Sequence, residues 1–251
     1  MLSFADLVQL ARDDPRLLGI VLSGSRGRGA GRPESDWDTY LIVADGAVHT
    51  LDSELGRLDP MLDLSVMALA DFETYAEPST DEAWEAYAFV HADVMHDRLG
   101  GRIAEIAAAK EFLPEDLSAR AAPRALDAYI NAAVRVAKGR RDGQLDASIL
   151  DSAEAVEPAL EAMFAMEARI RPYNRYLSWE LERHPLAVTR PSAGSLSSLV
   201  AAVTQGDADA HADLFSLIEG SARSLGWDEV LNAWGETALS LVRTRGSSEM
   251  R

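Results

Sequence analysis

Apolar positions follow two different rhythms along this chain. In the first half they come in short runs bounded by turn residues: Leu17–Leu22, Trp37–Val43, residues 61–69 and residues 88–97. Such runs predict β-strands. Between them the spacing changes to that of helices with one apolar face. Residues 3–12 form the first, with Ser3 placed as its N-cap. Leu51, Leu55 and Leu58 share a face over residues 49–58. A helix over "ADFETYAE" ends at a break marked by Pro78 and Ser79, and Gly100–Gly101 open another over 102–111.

After Pro114 the strand-like runs stop. Leu126, Ile130 and Val134 recur every four residues, Ile149, Ala153, Val156, Leu160, Met163 and Ile170 keep a helical stripe, and Leu231, Trp234, Ala238 and Leu241 repeat it. These stripes predict helices packed as a bundle. Pro158 falls inside one of them and predicts a kink or a restart. The expected fold is therefore α+β: a mixed-sheet domain over 1–112, then an all-helical domain over 113–251.

Composition narrows the chemistry. The 251 residues are 47% apolar, enough for a sizeable core and against disorder. The absence of cysteine removes disulfides, thiolate catalysis and cysteine-based metal sites. A formal charge of −17 opposes binding to a polynucleotide and would draw in a cationic small substrate. No apolar run is long enough to span a bilayer, and the N-terminal stretch lacks the basic and apolar regions of a secretory leader. A cytoplasmic protein with no membrane partner is expected.

The stretch "LLGIVLSGSRGRGAGRPESDWDTYLIV" (17–43) concentrates candidate chemistry. Gly24 and Ser25 end an apolar strand, where glycine lets the backbone approach a ligand. A helix opening there would offer its N–H groups to a phosphate. The Ser25 hydroxyl, Arg26, Arg28 and Ser35 lie close by in sequence and can bind phosphate oxygens. Asp36 and Asp38 are two apart, so in an extended strand their carboxylates share a face, about 7 Å apart. That placement suits a cation between them, and Mg²⁺ prefers carboxylates combined with substrate phosphates. Asp63, in the apolar run "MLDLSVMAL", is the expected third acid, because a charge in a buried strand must be paired or metal-bound. Either a metal ligand or a general base fits it.

At these residues the chain resembles the nucleotidyltransferase superfamily typified by DNA polymerase beta: an apolar strand, Gly-Ser, a gap, Asp-x-Asp on a strand, then a later acid. The helical second half makes the layout most similar to the bacterial nucleotidyltransferases that act on aminoglycosides or lincosamides. The motif-bearing part covers residues 17–70. The resemblance implies that Gly24 and Ser25 hold the nucleotide phosphates and that Asp36 and Asp38 bind Mg²⁺. Asp63 would serve as third ligand or base. The implied reaction is attack of a small molecule's hydroxyl on the α-phosphate of ATP or another NTP, transferring AMP and releasing pyrophosphate. The "GSRGRG" loop is also similar to small antitoxin-type nucleotidyltransferases, so modification of a partner protein is the second reading. A silent nucleotide-binding module is the third.

Other features stay open. Arg171, Tyr173, Arg175 and Tyr176 in "RIRPYNRYLSWELERHP" either hold the triphosphate and stack on the base or form a solvated interhelix face. Glu161 and Glu167 are weaker candidates for an antibiotic pocket. The five histidines show no metal-ligand spacing, and Ser25 does not sit in the GxSxG elbow of a hydrolase.

Overall fold

The computed structural model of the chain describes residues 1–77, 85–188 and 191–246. The expected break at Pro78 and Ser79 lies outside them. The chain divides into two compact units, Met1–Phe112 and Leu113 onward.

The first unit is a four-stranded mixed sheet: β1 (Leu17–Leu22), β2 (Trp37–Val43), β3 (Leu62–Ala68) and β4 (Asp93–Asp97), in the order β3-β2-β1-β4. β1 runs antiparallel to both β2 and β4, and β2 is parallel to β3. Both faces are covered. Helix α1 (Phe4–Asp13) and α3 (Val48–Glu54) bury Phe4, Leu7 and Leu51 against Leu17, Leu41, Val43 and Leu62. On the other face Phe72 of α4 (Leu69–Thr74), Phe89 of α5 (Ala86–Phe89) and Ile103 of α6 (Arg102–Ala109) pack on Val21, Tyr40 and Ile42. The strict alternation along β2 thus feeds two cores, as the period of two requires. One further turn, α2 (Gly24–Gly27), joins β1 to the loop before β2.

Ser3 caps α1 through a full capping box with Asp6. Two expectations need correction. Residues 88–97 do not form one strand: Ala86, Tyr87 and Phe89 are buried from a helical turn, His91 takes φ +60°, and only Asp93–Asp97 is extended. Aromatic anchoring against the sheet outweighs the weak strand signal there. The leucine-spaced helix also stops early, at Glu54, and Leu58 instead makes a β-bridge with Leu2.

The second unit is helical: α7 (Glu115–Arg141), α8 (Leu145–Ala165), α9 (Leu177–Arg183), α10 (Ala193–Thr204), α11 (Ala208–Ser224) and α12 (Asp228–Arg243). Acids open α7 and Lys138, Arg140 and Arg141 close it, matching its dipole. Buried alanines at 132, 133, 155, 159 and 162 line the α7 and α8 faces of the core. Pro158 neither ends nor restarts a helix, because α8 runs through it. Ala155, Ala159, Leu160 and Ala162 on either side are all buried, and that packing outweighs the roughly 3 kcal/mol a helical proline costs. Within α12, Gly235 takes non-helical angles. Among the described residues no helix is long and apolar enough to cross a membrane.

Candidate functional site

The loop after β1 is fastened to the start of β2. The Ser23 N–H donates to the Asp38 carbonyl at 2.8 Å, and its hydroxyl donates to the same oxygen at 3.3 Å. Gly24 follows with φ +60°, and a Cβ placed there would lie 1.7 Å from Asp38 Oδ2 and 2.6 Å from its Cγ. The missing side chain is what lets the Asp38 carboxylate rest against the loop backbone. Ser25 is buried in α2, and the Ala30 N–H closes the loop onto its carbonyl at 2.8 Å. Because α2 is a single turn, it has little dipole; any phosphate binding here would rest on the first-turn amides, which lack acceptors within the turn.

The parallel pairing of β2 and β3 sets Asp38 directly opposite Asp63. Register partners on neighbouring strands project to one face, with backbones about 4.8 Å apart. Leu62, Leu64 and Val66 pack with the core under α1 and α3. Asp63 therefore occupies the opposite face of β3, as the alternation predicts. The premise of a buried strand does not hold, however. β3 is the edge of the sheet and Asp63 is exposed. Its charge stays solvated and needs no partner to be tolerated.

Asp36 lies just before β2 and is also exposed. Among the described residues no group of three or more His, Cys, Asp or Glu side chains is arranged to hold a metal ion. The expected triad of Asp36, Asp38 and Asp63 is thus not assembled; the strands bring together the Asp38–Asp63 pair. The physical reason lies in the strand boundary: Asp36 precedes the first paired residue, so sheet register does not fix it.

Arg26 and Arg28 are engaged within the protein. The Arg26 Nε donates to the carbonyls of Ser35 (2.9 Å) and Asp36 (3.1 Å), and Nη2 donates to Ser35 (2.7 Å) and Pro33 (3.4 Å). Its guanidinium also lies 4.1 Å from the centroid of the Trp37 ring, which stacks on Phe4. Arg26 therefore clamps the loop that carries Asp36 instead of reaching outward to an anion. Arg28 is buried, with Nη2 donating to the Tyr87 carbonyl at 3.1 Å over the Tyr87 ring. The Ser35 hydroxyl accepts from the Arg32 N–H at 2.9 Å and so shapes the same loop.

Arg175 and Tyr176 belong to the second unit, in a 3-10 turn over Asn174–Tyr176, where the Arg175 guanidinium approaches the Tyr176 ring. Arg171 donates to Asn174 at 2.7 Å. Glu167 is structural: its carboxylate accepts the N–H groups of Ala187 and Val188 at 2.5 and 3.0 Å. Glu161 stays on the exposed side of α8. Sequence reasoning missed the Arg26–Trp37 clamp. The bulky residue between two aspartates was its one visible trace.

Against known proteins, the chain matches no family model and no curated protein.

Proposed function

We propose that this chain is a Mg²⁺-dependent nucleotidyltransferase that moves AMP from ATP, or another nucleoside monophosphate, onto a hydroxyl of a small molecule. The observation that carries the reading is the Gly24–Asp38–Asp63 arrangement: a glycine whose missing Cβ leaves room for one carboxylate against the loop, with a second carboxylate in register beside it. A single turn and two neighbouring strands thus bring loop amides and acidic oxygens to one end of the sheet.

The donor set fits Mg²⁺ in kind. The ion takes oxygen ligands and is commonly held by one or two carboxylates completed by substrate phosphates and water. A pair, Asp38 and Asp63, suffices on that ground. When bound, Mg²⁺ would neutralise the phosphate charge that builds during transfer. The protein's own part is positional. The amides of Gly24 and Ser25 donate to phosphate oxygens, and the Arg26 clamp holds the Asp36 loop in place. Asp38 is fixed by register and by its contact with Gly24. Asp63, solvated on the edge strand, takes the proton of the acceptor hydroxyl as its oxygen bonds to the α-phosphorus. The bond from that phosphorus to the bridging oxygen breaks, and pyrophosphate leaves. The charge of −17 favours a cationic acceptor of aminoglycoside type.

The test is a screen of each NTP with Mg²⁺ against aminoglycosides, lincosamides and simple polyols, read by pyrophosphate release and by the mass of the product. The expected result is a nucleotide adduct that disappears in Asp38→Asn and Asp63→Asn, both still folded. ATP binding with no pyrophosphate release from any acceptor would overturn the transferase assignment in favour of a nucleotide-binding module. Adduct formation only on a co-purifying protein would redirect it to a protein acceptor.

A further inference from the structure

The helical unit contains a cavity of about 520 Å³, a size suited to a small organic ligand. Its walls are contributed by α7, the start of α8, α11 and the end of α12. Much of the lining is apolar, including Val136, Ala137 and Leu241, but three arginines also line it: Arg140, Arg141 and Arg245.

The three cations are not equivalent. Arg141 is paired with Asp142 at 2.8 Å, and Arg245 with Asp213. Arg140 has no carboxylate within ion-pairing distance among the described residues; its Nη2 donates to the Gly206 carbonyl at 2.8 Å. The nearest acids, Asp207 and Asp209, attract it from farther off. Both are already committed to backbone amides, Asp207 to Ala210 at the cap of α11 and Asp209 to Gly246. A guanidinium carries five N–H donors, so most of those on Arg140 remain for a ligand.

His211 forms part of the same lining and fixes its charge. The side chain is buried, and its ring lies 3.0 Å from the Ser152 hydroxyl through Nε2. The Ser152 hydroxyl donates its one proton to the Ser148 carbonyl at 2.7 Å. Nε2 must therefore be the donor, which leaves Nδ1 as an acceptor lone pair. Burial, with Arg140 close by, holds the imidazole neutral, its pKa pushed down to about 4. His211 adds no positive charge at neutral pH, and among the described residues the cavity presents one cation without an ion-pair partner.

We infer that this cavity binds a small organic monoanion, a carboxylate on an apolar body, with the carboxylate on Arg140 and the body against Val136, Ala137 and Leu241. One unpaired cation matches one negative charge. A phosphate dianion would bring a second charge into a strongly acidic protein, with no second free cation among the described residues of this lining to meet it. The inference is independent of the nucleotidyltransferase reading, since no residue of this cavity belongs to the sheet unit.

The probe is octanoate, titrated calorimetrically into the intact protein, with octan-1-ol and octylammonium at equal concentration as controls. The expected result is saturable binding of octanoate alone. Arg140→Gln should weaken it about tenfold or more, the loss of a charge-assisted pair, while Arg140→Lys retains most of it. Ala137→Phe, which fills the cavity and keeps Arg140, should abolish binding; circular dichroism establishes that each variant is folded. No heat with octanoate, equal binding of octan-1-ol, or undiminished affinity in folded Arg140→Gln or Ala137→Phe would each overturn the assignment. Should Arg140→Gln fail to fold, Ala137→Phe and the octan-1-ol comparison still decide it.

Discussion

Replacing Gly24 by alanine tests the candidate site at its tightest point. The new methyl would fall 1.7 Å from Asp38 Oδ2, so carboxylate and loop must separate by more than an ångström. Rotation of the outermost oxygen alone does not relieve the contact, because Cγ and Cβ of Asp38 lie at 2.6 and 3.1 Å from the same point. Two costs add. Alanine at φ +60° costs about 1–2 kcal/mol, partly offset by a stiffer unfolded chain. Forcing Asp38 off its rotamer costs about another 1 kcal/mol. Gly29 provides the control: it has φ +70°, and a methyl group there would meet nothing within 4 Å. Gly29→Ala should therefore carry the backbone cost without displacing a carboxylate. Urea denaturation is expected to show Gly24→Ala about 2 kcal/mol less stable than the parent and Gly29→Ala about 1 kcal/mol less stable. In the transfer assay Gly24→Ala should lose about a hundredfold in kcat/KM, the scale of an ångström's misplacement, with Gly29→Ala near the parent. Undiminished transfer by Gly24→Ala would refute the role proposed for Asp38. Equal losses in both variants would assign the effect to loop strain instead.

Acid should destabilise the protein through His211. Its folded pKa, about 4, lies below the unfolded value near 6.5, so only the unfolded chain takes up a proton between them. This contribution is complete above about pH 6.5 and is lost as pH falls toward 4, about 3 kcal/mol in all. Urea melts of parent and His211→Gln at about pH 7.5 and about pH 4.5 should show the gap between them change by that order; a constant gap would exclude it. Arg26→Met removes the donors to Pro33, Ser35 and Asp36, and should cost about 2 kcal/mol and speed amide hydrogen exchange around residues 33–36. Arg169→Met should cost about 1–3 kcal/mol in a thermal melt, because it removes one charge-assisted partner of the buried Glu180 carboxylate.

The sequence by itself determined the elements whose cause is local. Leu17–Leu22 and Trp37–Val43 are strands as their apolar runs predict, and α1 starts directly after Ser3, its expected N-cap. The face that Asp63 takes is likewise local in cause, since a period of two needs no partner to be read. Only tertiary structure decided what depends on neighbours far along the chain. That β3 is an edge strand, leaving Asp63 in water, follows from sheet order. That Arg26 is spent on the carbonyls of the Asp36 loop follows from loop closure, and that α8 survives Pro158 follows from packing on both sides. The cavity around Arg140 and His211 was invisible beforehand for the same reason. Its residues come from four helices and the segments beside them, and only helix packing brings Arg140 and one neutral imidazole to a common wall.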